Sequence, residues 1–159
     1  MQEVTATICF NTACLGAVRD AKCNQMLRDP SGRVMLLPTW WLAIMKFAAE
    51  VKSKHQENVR RIEWDPVVSG STQVFKRFYN GSKYVLHEAF LKGDLVRVNC
   101  VLPDGMSLDE FKELLGVAGA YKGMSPYRSD QKFGTFEVVK VEPRKDKQED
   151  QPKTEPLVG

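Results

Sequence analysis

Residues 116 to 138 read GVAGAYKGMSPYRSDQKFGTFEV, and this stretch gathers the three kinds of group that hold a nucleic-acid strand. Gly119, Gly123 and Gly134 let a backbone approach a phosphate closely, Lys122, Arg128 and Lys132 neutralise it, and Tyr127 offers a ring to an unpaired base. The plainer reading is a solvated surface turn, because loops collect glycine and charge for other reasons. Lys76 and Arg77 lie among Phe75, Phe78 and Tyr79, and together with Arg60 and Arg61 they interleave cations and rings as a strand-binding surface does. Lysine and arginine also guard sheet edges against mispairing, so that reading stays open. Arg19 and Lys22, in a polar segment nearer the N-terminus, complete the candidate nucleic-acid contacts.

Catalysis finds less support. His55 and His87 are the two histidines, and neither has a serine, tyrosine or lysine partner beside it in sequence. A metal-independent ribonuclease built on His87 is therefore the weaker alternative. Cys9, Cys14, Cys23 and Cys100 form no CxxC pair and fit no zinc-ligand spacing, which reads as free thiols in a reducing compartment. Asp104, Asp109 and Glu110 suggest a metal at first sight, yet the last two are explained by the positive end of a helix that starts there. No catalytic residue, metal ligand or cofactor is assigned.

These side chains need a scaffold, and 159 residues suit one domain. An apolar fraction of 43% with 27% charged residues is that of a globular chain, and the net charge of +3 is too small to settle the partner. No stretch approaches the roughly 20 apolar residues of a membrane helix, and the N-terminus lacks the pattern of a secretory signal, so a cytoplasmic protein is expected.

Val4, Ala6, Ile8 and Phe10 alternate as one face of a strand, and a long loop with a tight turn at Asp29–Gly32 follows. Trp41, Ile44, Met45, Ala48 and Val51 recur at helical spacing, which predicts a helix capped by Thr39, starting near Trp40 and running to about Lys54. VRRIEW, residues 59 to 64, reads as a second central strand. Asn80-Gly81 separates two β-rich pieces within residues 65 to 93 and predicts a hairpin. Residues 94 to 102 supply a third central strand. Ser107 and Glu110 match a capping box opening a helix whose apolar face is Leu108, Phe111, Leu114, Leu115 and Ala118, with Gly119 placed to end it. The last strand, 135 to 141, turns Phe136, Val138 and either Val139 or Val141 inward.

The expected fold is α+β: a ferredoxin-like β-α-β-β-α-β split sandwich over residues 1–141, with an inserted hairpin at 65–93 and a charged, flexible tail at 142–159. Two helices would cover one face of a four-stranded sheet and leave the other for solvent, a partner or a ligand.

The segment ending in GTFEV resembles the glycine-rich loop of the RAMP (repeat-associated mysterious protein) superfamily of CRISPR effector subunits. ATICFNTACLG, LLPTWWLAIMKFAAEV and LLGVAGAYKGMSPYRSDQKFGTFEV together resemble small, mostly phage-encoded RAMP relatives. That resemblance implies RNA or single-stranded DNA as ligand, several copies or other effector subunits side by side on one strand, the cytoplasm of a bacterial host, and a thumb-like role for the hairpin around Asn80. Met124-Ser125-Pro126 and the polar run from Ser129 to Lys132 depart from the denser glycine of the family's loops. The competing class is a protein-interaction or assembly module that pairs its open sheet face with copies of itself or with another factor.

Overall fold

The computed structural model describes residues 1–124 and 133–144. Seven strands and two helices follow in the order β1 (Gln2–Phe10), β2 (Cys14–Leu15), α1 (Pro38–Lys52), β3 (Glu63–Ser69), β4 (Gln73–Tyr79), β5 (Lys83–Phe90), β6 (Leu95–Leu102), α2 (Leu108–Tyr121) and β7 (Phe136–Pro143). The main sheet runs β3-β6-β1-β7 with every neighbour antiparallel, and a smaller sheet runs β2-β5-β4. This is an α+β arrangement of antiparallel sheets and two helices, compatible with a ferredoxin-like fold.

Alternation builds the core. Val4, Ala6, Ile8 and Phe10 of β1 and Val96, Val98, Cys100 and Leu102 of β6 all point to the helices and are buried. Above them Trp41 of α1 stacks on Trp64 of β3 at 4.6 Å, and Phe136 of β7 meets the edges of Phe10 and Trp41 at 6.0 and 6.2 Å. Trp41 is fully enclosed, so its truncation to alanine should cost about 3–5 kcal/mol.

Several sequence expectations need correction. The first helix starts at Pro38, whose fixed φ and missing amide suit a first turn, with Leu37 and not Thr39 in the capping position. It ends at Lys52, where Ser53 turns left-handed. Val51 is 55% exposed, and Ala49 takes its expected place on the buried face. Residues 58 to 61 wind into a 3-10 turn, because Val59 must reach back to the core while Arg60 and Arg61 stay wet; the strand begins only at Glu63. That strand lies at the edge of the sheet, not its centre, and tolerates Pro66 for that reason. Its outer side is covered by residues 34 to 36, through Val68 N–H to Val34 O at 3.1 Å and Leu36 N–H to Pro66 O at 2.9 Å.

The second helix opens on the expected capping box, with Ser107 Oγ accepting from Glu110 N–H and the Glu110 carboxylate accepting from Ser107 N–H. It runs past Gly119 to Tyr121. The hairpin of β4 and β5 turns at Asn80 and Gly81, both at positive φ (47° and 80°). Glu142 and Pro143, expected in the tail, extend β7 along β1 as partners of Thr5 and Val4. The remainder of the tail, 145 to 159, lies outside the described residues.

One irregularity matters for the site. Phe136 and Val138 of β7 pair with Phe10 and Ile8, but Lys140 pairs with Thr7 and Val141 with Ala6, so Val139 is an extra residue in the ladder. This bulge reverses the parity of the strand: Val141 turns to the core and Val139 is left 46% exposed.

Candidate nucleic-acid interface

The face of the main sheet away from the helices carries the residues of opposite parity: Thr5 and Thr7 of β1, Arg97 and Asn99 of β6, and, through the bulge, Lys140 and Glu142 of β7. A groove of about 990 Å³ runs over this face. Its walls come from outside the sheet. Arg28 and Arg33 overhang it from the loop beside β3, and Arg144 follows β7, its N–H bonded to Glu3 O at 2.9 Å. Among the described residues Arg97 and Lys140 complete five cations, against Asp65 and Glu142 as the carboxylates in the lining, and no aromatic ring lines it.

The wall is held by side chains that sequence spacing does not connect. Asp29 accepts hydrogen bonds from the Ser31 and Arg33 amides at 3.0 and 2.8 Å and from Arg33 Nε at 3.0 Å; these bonds, led by the Arg33 amide, hold its carboxyl below the usual range. Glu88 of β5 accepts from Met26 N–H at 2.8 Å and Thr72 Oγ at 2.5 Å and pairs with Arg28, so one carboxylate ties the wall to the hairpin. Arg28 and Arg33 therefore have carboxylate partners at the rim. On the floor, Arg97 Nε donates to Ser69 Oγ at 3.5 Å and Lys140 stands 3.5 Å from Glu142. Among the described residues Arg97 forms no salt bridge, which leaves its charge on the floor uncompensated.

None of the described residues expected from sequence to bind lines this groove. Gly119 lies inside α2, buried, where an added Cβ would meet the Phe136 ring at 2.4 Å; it serves the contact of α2 with β7. Gly123 and Gly134, both at positive φ, pack against each other, and Met124 N–H donates to Gly134 O at 2.8 Å. Their bareness is used by the chain's own backbone. Lys122 lies over the Phe47 ring at 5.0 Å. Tyr127, Arg128 and Lys132 lie outside the described residues.

The remaining candidates divide into two places. Arg60 and Arg61 border a shallow pocket with Met1 and Asp104 at the far end of the sheet. On the hairpin, Lys76 sits over Tyr84 at 4.4 Å and near Phe78 on the outer face, while Arg77 on the other face borders a groove of about 640 Å³ with Arg19. Lys22 is exposed in the loop beside it. The structure thus brings Arg19 and Arg77 together.

His87 is completely buried. Its Nδ1–H donates to Gly16 O at 2.7 Å, which leaves Nε2 to accept from Arg77 Nε at 3.1 Å. Burial, with Arg77 adding to it, lowers the ring's pKa and keeps it neutral. His55 contacts Asn58 Nδ2 and Glu110, each at 3.0 Å. His87, on which the ribonuclease alternative rests, is thus held inside the fold by two hydrogen bonds. Burial pushes the Cys14 and Cys100 thiols up to about 12, far from a thiolate nucleophile. Among the described residues no helix is long and apolar enough to cross a membrane.

The open sheet face is thus polar and basic, under a cationic overhang. Among solved structures, the chain is similar to one in the cryo-EM structure of the Type III-B Cmr-beta bound to cognate target RNA, with a TM-score of 0.58 and 15% identity. The match covers 89% of this chain and 60% of that one, so this chain spans less than two thirds of its neighbour. At that identity the likeness is one of fold. No protein-family model and no curated protein matches.

Proposed function

We propose that this chain binds a nucleic-acid strand, RNA or single-stranded DNA, without cutting it, and that it does so on the open face of the main sheet. The observation that carries the reading is the groove, with Arg97 and Lys140 on its floor and Arg28, Arg33 and Arg144 around it. Cations in this arrangement attract a polyanion, and the counter-ions they release give the affinity. The sheet order, read as ferredoxin-like and RAMP-related, and the fold shared with a chain of an RNA-bound effector complex support it. Lys76 and Arg77 on the hairpin and Arg19 in the loop beside it, with Lys122, Arg128 and Lys132 of the glycine-rich segment, are proposed as outer contacts. Several copies on one strand, or other effector subunits beside it, are part of the same proposal, as is a phage source acting in a bacterial cytoplasm.

The test is fluorescence anisotropy with labelled oligouridine and oligothymidine over a range of salt. Arg97→Gln with Lys140→Gln should weaken binding and flatten the log–log salt slope by about 0.7 for each phosphate of a single strand that the two cations neutralise. The triple variant Lys122→Gln, Arg128→Gln, Lys132→Gln reports on the glycine-rich segment separately. Unchanged affinity and slope in the double variant would remove the sheet face as the binding site.

One observation favours a second reading, self-association through the hairpin: Val74, Phe78 and Tyr84 are 64%, 54% and 51% exposed on it. Sedimentation at high salt separates the two, because an apolar interface persists there and strand binding does not.

A further inference from the structure

Beside the groove, on the same open face of β1, stands a polar group that the fold leaves unused. Thr7 is only 6% exposed, and among the described residues its Oγ has neither a hydrogen-bond partner nor solvent. Buried hydroxyls are almost always bonded, and a valine would fill the same space in a strand without the penalty. Its cross-strand neighbours are Arg97 on β6 and Lys140 on β7. Lys140 is there only because of the bulge at Val139; in regular alternation it would share the core face with Phe136 and Val138. Two departures from the ordinary, an orphan hydroxyl and a ladder defect, thus meet at one point.

We propose that Thr7, Arg97 and Lys140 form a seat for one backbone phosphate, so that a strand lies on the sheet by its phosphodiesters with its bases turned outward. This rests on the strand-binding reading and specifies it. A phosphate oxygen accepts from the hydroxyl, the guanidinium and the ammonium together. Arg97 and Lys140 are long and exposed, anchored among the described residues by contacts of 3.5 Å to Ser69 and Glu142. Drawn over an anion, they bring it to the hydroxyl between them, and Lys140 exchanges the Glu142 carboxylate for the phosphate. With no ring among the described lining residues, the seat holds the strand by its backbone, which is the same for every sequence.

The full chain with Thr7→Val, measured against labelled oligouridine, tests this. The variant should melt at or above the wild-type temperature and bind about tenfold more weakly, the loss of one charge-assisted hydrogen bond. Its salt slope should stay unchanged, because a hydroxyl displaces no counter-ion. Thr7→Ser, which keeps the donor, should bind like the wild type. Thr7→Ala serves where valine disturbs the bulge. Wild-type affinity in Thr7→Val beside weakened binding in the Arg97→Gln, Lys140→Gln pair overturns the seat and leaves the groove standing. Wild-type affinity in all of them overturns both. Oligoadenine, oligocytidine and oligouridine should bind within about threefold of one another, and a strong preference for one base overturns the backbone-down arrangement.

Discussion

Gly119→Ala and Gly116→Ala, three residues apart on α2, should change stability in opposite directions. Replacing glycine by alanine inside a helix ordinarily gains about 1 kcal/mol, because alanine loses less backbone entropy on folding. At Gly116 nothing lies within 4 Å of the added carbon, so that gain should appear in full. At Gly119 the carbon would meet two Phe136 ring atoms at 2.4 Å and the Phe136 carbonyl oxygen at 2.6 Å. The ring cannot retreat, being buried between Phe10 and Trp41, and the oxygen belongs to the backbone at the start of β7. Overpacking of this kind costs about 1–3 kcal/mol, and with both obstacles the upper end applies. Set against the helix gain, the net loss is about 2 kcal/mol. For a domain of this size each kcal/mol moves the midpoint by about 2–4 °C, so Gly119→Ala should melt about 4–8 °C lower and Gly116→Ala slightly higher than wild type. Thermal unfolding followed by far-ultraviolet circular dichroism reads both. A Gly119→Ala protein that melts like Gly116→Ala would show that α2 and β7 do not meet as described, and if it also lost affinity for oligouridine, Gly119 would belong to a ligand loop.

Other expectations are smaller in scope. Ser107→Ala should cost about 1 kcal/mol in urea unfolding by removing the helix cap. The Ser107 amide, followed by His55, depresses the Glu110 pKa from 4.5 to about 2; the stability it gives is complete above 4.5 and lost as pH falls through 2, so Glu110→Gln, which removes the titrating carboxyl, should show a shallower acid dependence in a pH titration of the melting temperature. Because the His87 pKa is lowered from 6.5, its contribution is complete above 6.5 and declines as pH falls below it; His87→Gln, though less stable throughout, should lack that decline. Gly81→Ala, forced to φ 80° in the hairpin turn, should lose about 1 kcal/mol, and amide exchange should place the loss in β4 and β5.

What could be read from the sequence was local. Alternation in VTATICF and in residues 94 to 102, the Ser107–Glu110 box and the Asn80-Gly81 turn each depend on residues within one segment, and each element forms as expected. The basic groove depends on five cations from separate stretches, Arg28, Arg33, Arg97, Lys140 and Arg144, and no window along the chain contains them as a cluster. A signal did exist: once Val96, Val98 and Cys100 face inward, Arg97 and Asn99 must face out beside Thr5 and Thr7. Lys140 could not be placed this way, since the bulge reverses its side, and that same bulge is why Val139 and Val141 could not be told apart. Gly119 was legible in hindsight: it stands four residues after Leu115, on the apolar stripe of its helix. A glycine there signals close approach as much as chain termination.

Glu88 has a consequence for how the two sheets respond to each other. It belongs to the hairpin, yet its carboxylate grips Met26, Arg28 and Thr72, beside the backbone bonds of Asn24 to Leu86 and Glu88, so the arm and the cationic overhang are bolted together. A pull on the arm is passed to the overhang through these contacts. Glu88→Gln, which keeps the shape and removes the charge, should loosen this transmission, and amide exchange at residues 26 to 35 should quicken while β1 and β6 keep their protection.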